Sequence, residues 1–337
     1  MPQLSYRESE LMAEHPYVGK HLAAGHRLHG GFDQSGRYCS PRTLLRWPAV
    51  LAWQKALQKR GWPLIDASTR LLQRSTFPNF EQQKWLLQHG LGQTLWNSLT
   101  VTGIVEARGL ALAQITPPDF QAIIVEDISE ATMGHLAKGL LKAHAFDEGG
   151  LPGSGLGGHD TMWFAARDLL FGADAYPQPQ VPPSLARPDM VRQMPALPAA
   201  YEPLLLLLMN VLMIEIRAEA FFSFCIHVMR DPDLFADRRD DAERAAEMVE
   251  RIRLDEAIHV AYLQTAVSEL RSFRFKSTDG GLTAGADIID PVWQGLVQWH
   301  AVTTVEHAQA QTRAAIEQVL SKLPDGAALT AQFDSLQ

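Results

Sequence analysis

The stretch Arg253-Leu-Asp-Glu-Ala-Ile-His259 decides the predicted fold. It lies within a pattern that predicts a helix over about 238–270, and side chains three residues apart on a helix face the same way. Glu256 and His259 therefore present a carboxylate and an imidazole together, a spacing found in metal sites of helical bundles. Partner ligands elsewhere in the chain decide whether this pair is half of a two-metal site or an ordinary helix surface.

The composition is typical of a globular protein and disfavours several classes of partner. The chain has 337 residues, is 46% hydrophobic and 20% charged, and carries a formal net charge of -8. Because a negative net charge repels polyanions, we do not expect nucleic acid as a partner. Cys39 and Cys225 are the only cysteines, so neither a zinc ribbon nor a disulfide-stapled secreted domain is expected.

The beginning of the chain and its most apolar stretch both favour a cytoplasmic protein with no membrane segment. The first residues, MPQLSYRESELMAEH, mix charges and lack the basic and apolar regions of a signal peptide. The apolar stretch 203–229 contains Glu215, Arg217 and Glu219 near its centre, and charges there are costly in lipid. We therefore expect this stretch to be a helix buried in protein.

Apolar periodicity and turn signals predict an all-α fold with four core helices. Pro117-Pro118 separates the first two, which should pack as an antiparallel pair. The stretch 148–202 is rich in Pro and Gly around one helical patch, Asp160–Phe171, and is predicted to be a long crossover between the two pairs. The predicted core helices are 81–115, 118–147, 201–230 and 238–270.

Residues outside the four helices are expected to pack around them. Residues 1–80 form the predicted N-terminal arm and helix, 81–337 contain the bundle, and a further helix is predicted over about 291–320. The first 40 residues look irregular. We interpret their four histidines as solvated loop residues: His15, His21, His26 and His29.

Carboxylates occur on every predicted core helix, and two helices also carry a histidine. A dinuclear metal centre needs about six protein side chains, with carboxylates that bridge the ions. A four-helix bundle can supply one Glu from each of two helices and a Glu/His pair from each of the others. The candidates follow that order along the chain: Glu106, Glu130 with His135, Glu215 or Glu219, and Glu256 with His259.

Helix geometry bears on two of these candidates. Ligands at one height of an antiparallel pair lie at similar distances from the shared turn, which favours Glu215 and keeps Glu219 as the alternative. Glu130 and His135 are five residues apart, about 140° around an ideal helix. A π-bulge would align them, so we predict a π-type distortion between Glu130 and His135.

The pattern from Glu106 to His259 resembles the ferritin-like di-iron carboxylate proteins. Asp255-Glu256-Ala-Ile-His259 is similar to the Asp-Glu-x-Arg-His motif of bacterial multicomponent monooxygenases, acyl desaturases and ribonucleotide reductase small subunits, with Ile258 in place of Arg. The resemblance implies a ferritin-like four-helix bundle with extra N-terminal, crossover and C-terminal helices. It also implies a non-haem di-iron centre that activates dioxygen.

Specific roles follow from the resemblance. Asp255 would orient the histidine of the opposite helix, His135, without itself binding metal. Glu130 and Glu256 would bridge the two iron ions, and no catalytic residue beyond the ligands is implied. One iron would be held by Glu106, Glu130 and His135, and the other by Glu215, Glu256 and His259.

The implied activity is that of an oxidoreductase, a monooxygenase or oxidase that uses dioxygen on a small organic substrate. Hydroxylation, N-oxygenation, desaturation and oxidative cleavage all fit. A ferredoxin or reductase would donate electrons, and a homodimer is the assembly considered. The alternatives are a ferroxidase or manganese/iron protein without an organic substrate, and a non-enzymatic helical scaffold whose carboxylates are ion-paired.

Overall fold

The computed structural model describes residues 3–72, 76–181, 183–184, 187 and 191–336. Over these residues the chain is mostly helical, which confirms the predicted helical class. The α-helices are α1 (Glu8–Leu11), α2 (Arg46–Lys59), α3 (Phe80–Gln88), α4 (Gln93–Arg108), α5 (Leu141–Gly149), α6 (His159–Phe171), α7 (Glu202–Arg230), α8 (Arg239–Ser272), α9 (Gly285–Gln298), α10 (Thr304–Leu320) and α11 (Gly326–Asp334). The strands are β1 (Gly19–Ala23), β2 (His26–Phe32), β3 (Tyr38–Cys39), β4 (Arg274–Lys276) and β5 (Leu282–Ala284).

Two long helices, α7 and α8, form the centre of the fold. They contain 29 and 34 residues and pack along each other. Pro203 lies in the first turn of α7, where a missing backbone N–H costs nothing. Leu205, Leu212 and Phe222 of α7 are completely buried. The predicted helices 201–230 and 238–270 agree with α7 and α8 to within two residues.

The length and apolar character of the helices decide whether any of them could cross a membrane. Among the helices of the described residues, none combines the length and the apolar character that crossing a membrane requires.

The predicted helix 81–115 is divided into two. α3 ends at Gln88, Gly90 has a positive φ of 74°, and α4 begins at Gln93. Glycine adopts this left-handed conformation readily, and it ends a helix. A 3₁₀ turn over Gly109–Gln114 continues from α4.

The predicted helix 118–147 is wrong over most of its length. Turns and short 3₁₀ segments occupy the chain after Pro118, and α5 begins only at Leu141. The chain folds back so tightly here that a Cβ at Gly134 would lie only 2.1 Å from the carbonyl oxygen of Ile128, so glycine is required at this position. A π-type turn exists, but it covers Leu136–Leu140 and therefore follows His135.

The predicted crossover contains a helix of the bundle. α6 packs against both α4 and α8, so a fifth helix lies among the four that the sequence suggested. The predicted helical patch Asp160–Phe171 is confirmed, and the helix starts one residue earlier.

The N-terminal region is a small antiparallel sheet, not an irregular arm. β1, β2 and β3 pair in that order. His21 on β1 and His29 on β2 are each only 1% exposed, so their interpretation as solvated loop residues is wrong. His26 at the tip of the hairpin is exposed.

A buried carboxylate of α8 holds the turn that precedes α5. Glu269 accepts hydrogen bonds from the backbone N–H groups of Thr132 and Met133 at 3.0 and 3.1 Å. Burial raises the pKa of Glu269 to about 7, although the two backbone donors oppose this.

We expect Glu269→Gln to change the pH dependence of stability. Because the folded-state pKa of Glu269 is raised above its unfolded value, ionisation of Glu269 removes stability as pH rises from about 4.5 to about 7. The loss should be about 3 kcal/mol. Gln remains neutral, so the unfolding free energy of the variant minus that of the wild type should increase from about pH 5 to about pH 8.

Urea denaturation at both pH values measures this difference. Any cost of placing an amide at position 269 is independent of pH and cancels. Glu130→Gln, at an exposed turn, controls for the loss of a carboxylate. Parallel stability profiles of wild type and Glu269→Gln would contradict the assignment.

Candidate metal centre

Seven side chains from five helices meet between α4, α5, α6, α7 and α8. They form two sets of four in which ligand atoms lie within 4.8 Å of one another, and Glu148 belongs to both sets. We call these residues the seven-residue cluster: Glu106, His144, Glu148, His159, Glu215, Glu256 and His259. Six of them are buried and Glu106 is partly buried.

The first set surrounds His144. Its Nε2 atom lies 3.2 Å from carboxylate oxygens of both Glu148 and Glu215. The Nδ1 atom of His259 lies 3.1 Å from the same Glu148 oxygen. Two imidazoles and two carboxylates therefore converge at one point.

The second set surrounds His159. Its Nδ1 atom lies 2.9 Å from Glu256 Oε1 and 3.7 Å from Glu148 Oε2. Glu106 completes this set and accepts a 3.2 Å hydrogen bond from the indole N–H of Trp163. Glu148 thus directs one oxygen to each set.

Glu256 also lies between the sets. Its Oε2 atom is 2.6 Å from His259 Nδ1, while its Oε1 atom faces His159. Carboxylates in such positions can bridge two cations.

Glycines explain how Glu148 and His159 come together. A Cβ at Gly150 would lie 2.3 Å from the Leu156 carbonyl oxygen, and one at Gly158 would lie 2.3 Å from the Gly150 nitrogen. Side chains at these positions would clash, so only glycine permits the turn between α5 and α6. The Gly-rich stretch therefore places the end of α5 against the start of α6.

Each of the three histidines of the cluster has its second ring nitrogen next to a polar group outside the cluster. His144 Nδ1 lies 2.7 Å from the Tyr262 hydroxyl. His259 Nε2 lies 3.0 Å from Asp147 Oδ2. His159 Nε2 lies 3.4 Å from Asp255 Oδ2. A carboxylate on the outer nitrogen fixes a ring N–H there and leaves the inner nitrogen free to bind metal.

Asp147 is itself held by two buried arginines. Arg42 donates to Asp147 Oδ1 from Nε at 2.9 Å, and Arg46 donates to Oδ2 at 2.6 Å. Burial would raise the pKa of Asp147, but Arg42 and Arg46 outweigh burial and hold it well below its usual range. Asp147 therefore stays ionised beside His259.

Asp255 is held by residues of the N-terminal sheet. Tyr38 donates its hydroxyl to Asp255 Oδ2 at 2.8 Å, and His29 Nε2 lies 3.1 Å from the same oxygen. Burial opposes ionisation, but contacts with His159 and His29 lower the pKa of Asp255 overall.

Four glutamates concentrate negative charge in the cluster, and the histidines respond to it. Burial opposes protonation of His159 and His259, but Glu256 and the other carboxylates outweigh burial and raise both pKa values. Burial and the neighbouring Glu148 raise the pKa of Glu106 well above its usual value. Burial and the charge of Glu256 likewise raise the pKa of Glu215. Two divalent cations would match four ionised carboxylates in charge. Oxygen and imidazole ligands suit iron and manganese.

Four of the residues predicted as ligands are in the cluster: Glu106, Glu215, Glu256 and His259. Glu219 is not, because its side chain accepts a 2.8 Å hydrogen bond from Arg253 at the surface. The preference for Glu215 over Glu219 therefore agrees with the geometry.

Glu130 and His135, predicted as ligands, are not brought to the cluster. Glu130 lies in an exposed turn. His135 is buried, but its Nε2 accepts a 2.9 Å hydrogen bond from the Tyr6 backbone and its Nδ1 donates to the Ala131 carbonyl at 2.7 Å. Asp255 consequently contacts His159 and His29, not His135.

The sequence interpretation missed three residues of the cluster: His144, Glu148 and His159. His144 and Glu148 are four residues apart, so they share a face of α5. That spacing was visible in the sequence, although the order is reversed, with the histidine first. His159 follows the Gly-rich stretch directly, and no periodic pattern marks it.

Comparison with known proteins does not assign a family. The chain matches no family model, no curated protein and no solved structure.

The structure predicts that Glu148 is needed for metal binding and Glu130 is not. Wild-type protein loaded with ferrous iron and desalted should retain about two ions per chain, and Glu148→Gln fewer than one. The reason is that Glu148 contributes an oxygen to both sets, whereas Glu130 lies in an exposed turn. Glu130→Gln is the matched control, and elemental analysis measures the iron. Equal iron loss in both variants would contradict this ligand set.

Asp255→Asn should weaken metal binding without removing a ligand. The amide keeps the size of the side chain but holds the outer nitrogen of His159 less strongly, so affinity should fall about 10- to 100-fold. Competition with a chromophoric chelator measures this, and Asp279→Asn, on an exposed turn, is the control. Unchanged affinity in Asp255→Asn would show that Asp255 does not position His159.

Proposed function

We propose that this protein is a dinuclear metal oxidoreductase, a ferritin-like di-iron protein that uses dioxygen on a small organic substrate. The observation that carries the proposal is the orientation of three histidines. Each points one ring nitrogen at the glutamates and has the other next to Asp147, Asp255 or Tyr262, by hydrogen bonds at His259 and His144 and by a 3.4 Å contact at His159. This arrangement is typical of histidines that bind metal.

The arrangement of ligands on helices supports the ferritin-like interpretation. α4 and α7 each contribute one glutamate, while α5 and α8 each contribute a Glu/His pair. This is the distribution known from di-iron bundles. Two differences separate this chain from that pattern: α5 carries its histidine before its glutamate at a spacing of four, and α6 adds a third histidine, His159.

Iron held by this set of ligands would supply electron transfer and reaction with dioxygen, which the side chains alone do not. The residues of the chain have other tasks. Glu148 and Glu256 would hold the cations, while Asp147 and Asp255 lie against the outer nitrogens of His259 and His159. Trp163 and Phe222, both completely buried and 5.2 Å apart at their ring centroids, exclude water from the α6–α7 side.

The scaffold alternative requires cationic side chains that pair with the four glutamates. The buried Arg42 and Arg46 contact Asp147, which lies outside the two sets. Within the described residues, the ion-pair contacts of Glu148, Glu215 and Glu256 are with histidines. Neutral or singly charged imidazoles compensate four carboxylates poorly, which favours cations as the missing charge.

Oxygen reactivity tests the proposal. Anaerobic protein loaded with about two ferrous ions per chain should consume dioxygen and develop near-ultraviolet absorption on mixing with air. Glu148→Gln should lose both signals. Glu219→Gln, which removes a surface carboxylate paired with Arg253, should retain them. Loading without any oxygen-dependent change would contradict the proposal.

The same experiment separates the ferroxidase alternative. A ferroxidase continues to oxidise added ferrous iron beyond about two ions per chain and accumulates it. The proposed enzyme stops at that ratio, and its further oxygen consumption depends on an organic substrate and an electron donor such as a ferredoxin or reductase. A manganese/iron pair would appear as equal amounts of both metals in protein purified from cells.

A further inference from the structure

Arg217 is a cationic side chain on the far side of α7 from the metal cluster. It follows Glu215 by two residues, about 200° around the helix. It is neither fully buried nor exposed, and burial lowers its pKa. The buried Arg42 and Arg46 share the carboxylate of Asp147. By contrast, the described part of the chain places no carboxylate on Arg217.

Asn210 and His300 lie on the same side of α7 as Arg217. Asn210 precedes Arg217 by seven residues, two helical turns, so both occupy one face. His300, in the π-type turn Trp299–Thr303, has its Nε2 atom 3.4 Å from Asn210 Oδ1. Arg217 and Arg187 both lie near enough to His300 to affect its ionisation.

The hydrogen bonds of Asn210 determine which nitrogen of His300 carries the proton. Asn210 Nδ2 donates to the Leu206 carbonyl at 2.9 Å, and Asn210 Oδ1 accepts from the backbone N–H of Arg187 at 3.3 Å. Oδ1 is therefore an acceptor, and His300 donates to it from Nε2. Burial, with Arg217 and Arg187, lowers the pKa of His300 to about 3. The ring is neutral, and its Nδ1 is a bare acceptor.

Among the described residues, three buried polar atoms on this helical turn make no hydrogen bond: His300 Nδ1, Trp299 Nε1 and Thr304 Oγ1. Thr304 follows His300 by four residues and so lies on the same side of its helix. An unpaired buried polar atom is unfavourable. These three atoms lie at neighbouring positions of one helical turn, beside an imidazole close enough to Arg217 to feel its charge. This concentration indicates that a ligand supplies the missing groups.

We propose that Arg217, Asn210, Trp299, His300 and Thr304 form a binding site for a small oxyanion that also carries a hydroxyl group. Hydrogen phosphate and 2-hydroxycarboxylates have this chemistry. The guanidinium matches two oxygens of a carboxylate or phosphate. The indole N–H of Trp299 donates to the anion, and the ligand's hydroxyl donates to His300 Nδ1. The Arg217 site, as we call it, is separated from the cluster by α7 and does not depend on the proposed function.

Titration with inorganic phosphate tests the Arg217 site. Phosphate should raise the midpoint temperature of thermal unfolding, and the increase should saturate with concentration. Sodium chloride at the same ionic strength is the control and should not produce this increase. Arg217→Gln should weaken apparent affinity about tenfold or more, since it removes a charged hydrogen-bond donor. Arg217→Lys keeps the charge and should weaken it less. Arg230→Gln, at an exposed arginine paired with Glu243 and Glu250, is the control and should bind as wild type.

Further titrations with other anions and with a cluster variant test how the anion is recognised. Lactate should bind more tightly than propionate, which has the same carboxylate but no hydroxyl; equal affinity would overturn the role of His300 Nδ1. Because phosphate also binds ferric iron, Glu148→Gln is titrated in parallel and should retain the response. The site would be overturned by a response that survives in Arg217→Gln, by one lost in Arg230→Gln, or by one lost in Glu148→Gln alone.

Discussion

Four glutamates whose carboxylates meet inside the protein impose the constraint on which the rest of the structure depends. Burial of several like charges at contact distance is strongly unfavourable unless protons or cations compensate them. The fold brings Glu106, Glu148, Glu215 and Glu256 together nevertheless. It does so from four different helices, so no local rearrangement separates them. Packing of the whole bundle, driven by buried apolar surface, offsets this repulsion.

A second layer of charged residues surrounds the cluster and contacts its histidines, not its glutamates. Asp147 and Asp255 are ionised and hold His259 and His159, and arginines that neutralise Asp147 stay outside the glutamates. Burial and neighbouring carboxylates raise the pKa of Glu106 and Glu215, so a neutral side chain at either position would relieve repulsion in the fold while removing a proposed ligand. Such opposition between stability and function is expected at sites built for a ligand.

The parts of the fold that the sequence predicted are those stabilised along one helix. α7 and α8 carry continuous apolar faces, and Glu256 with His259 occupies successive turns of one of them, so local periodicity sufficed. The segment 118–140 also contains apolar residues, but long-range contacts shape it. Glu269 holds its backbone, and Ile124 forms an isolated bridge to Phe275. Both contacts join residues far apart in the sequence, so the periodicity of neighbouring residues does not reveal them. For this reason the sequence did not show that Glu130 and His135 lie away from the cluster. It also did not identify His159, which a turn of glycines positions.

The N-terminal region contacts the residues around the cluster across very long sequence separations. Tyr38 and Asp255 are separated by 217 residues, and Arg42 and Asp147 by 105. Contacts between such distant positions form late in folding, because closing a long loop costs entropy before the contact repays it. The helices that carry the ligands can associate earlier, but the histidine rings gain their fixed orientation only when the first 46 residues dock. During synthesis this region leaves the ribosome first and must wait for α8. In the proposed metalloprotein, tight metal binding would therefore be the last event of assembly, and bound metal would mark a chain whose ligand-bearing helices and N-terminal sheet have docked.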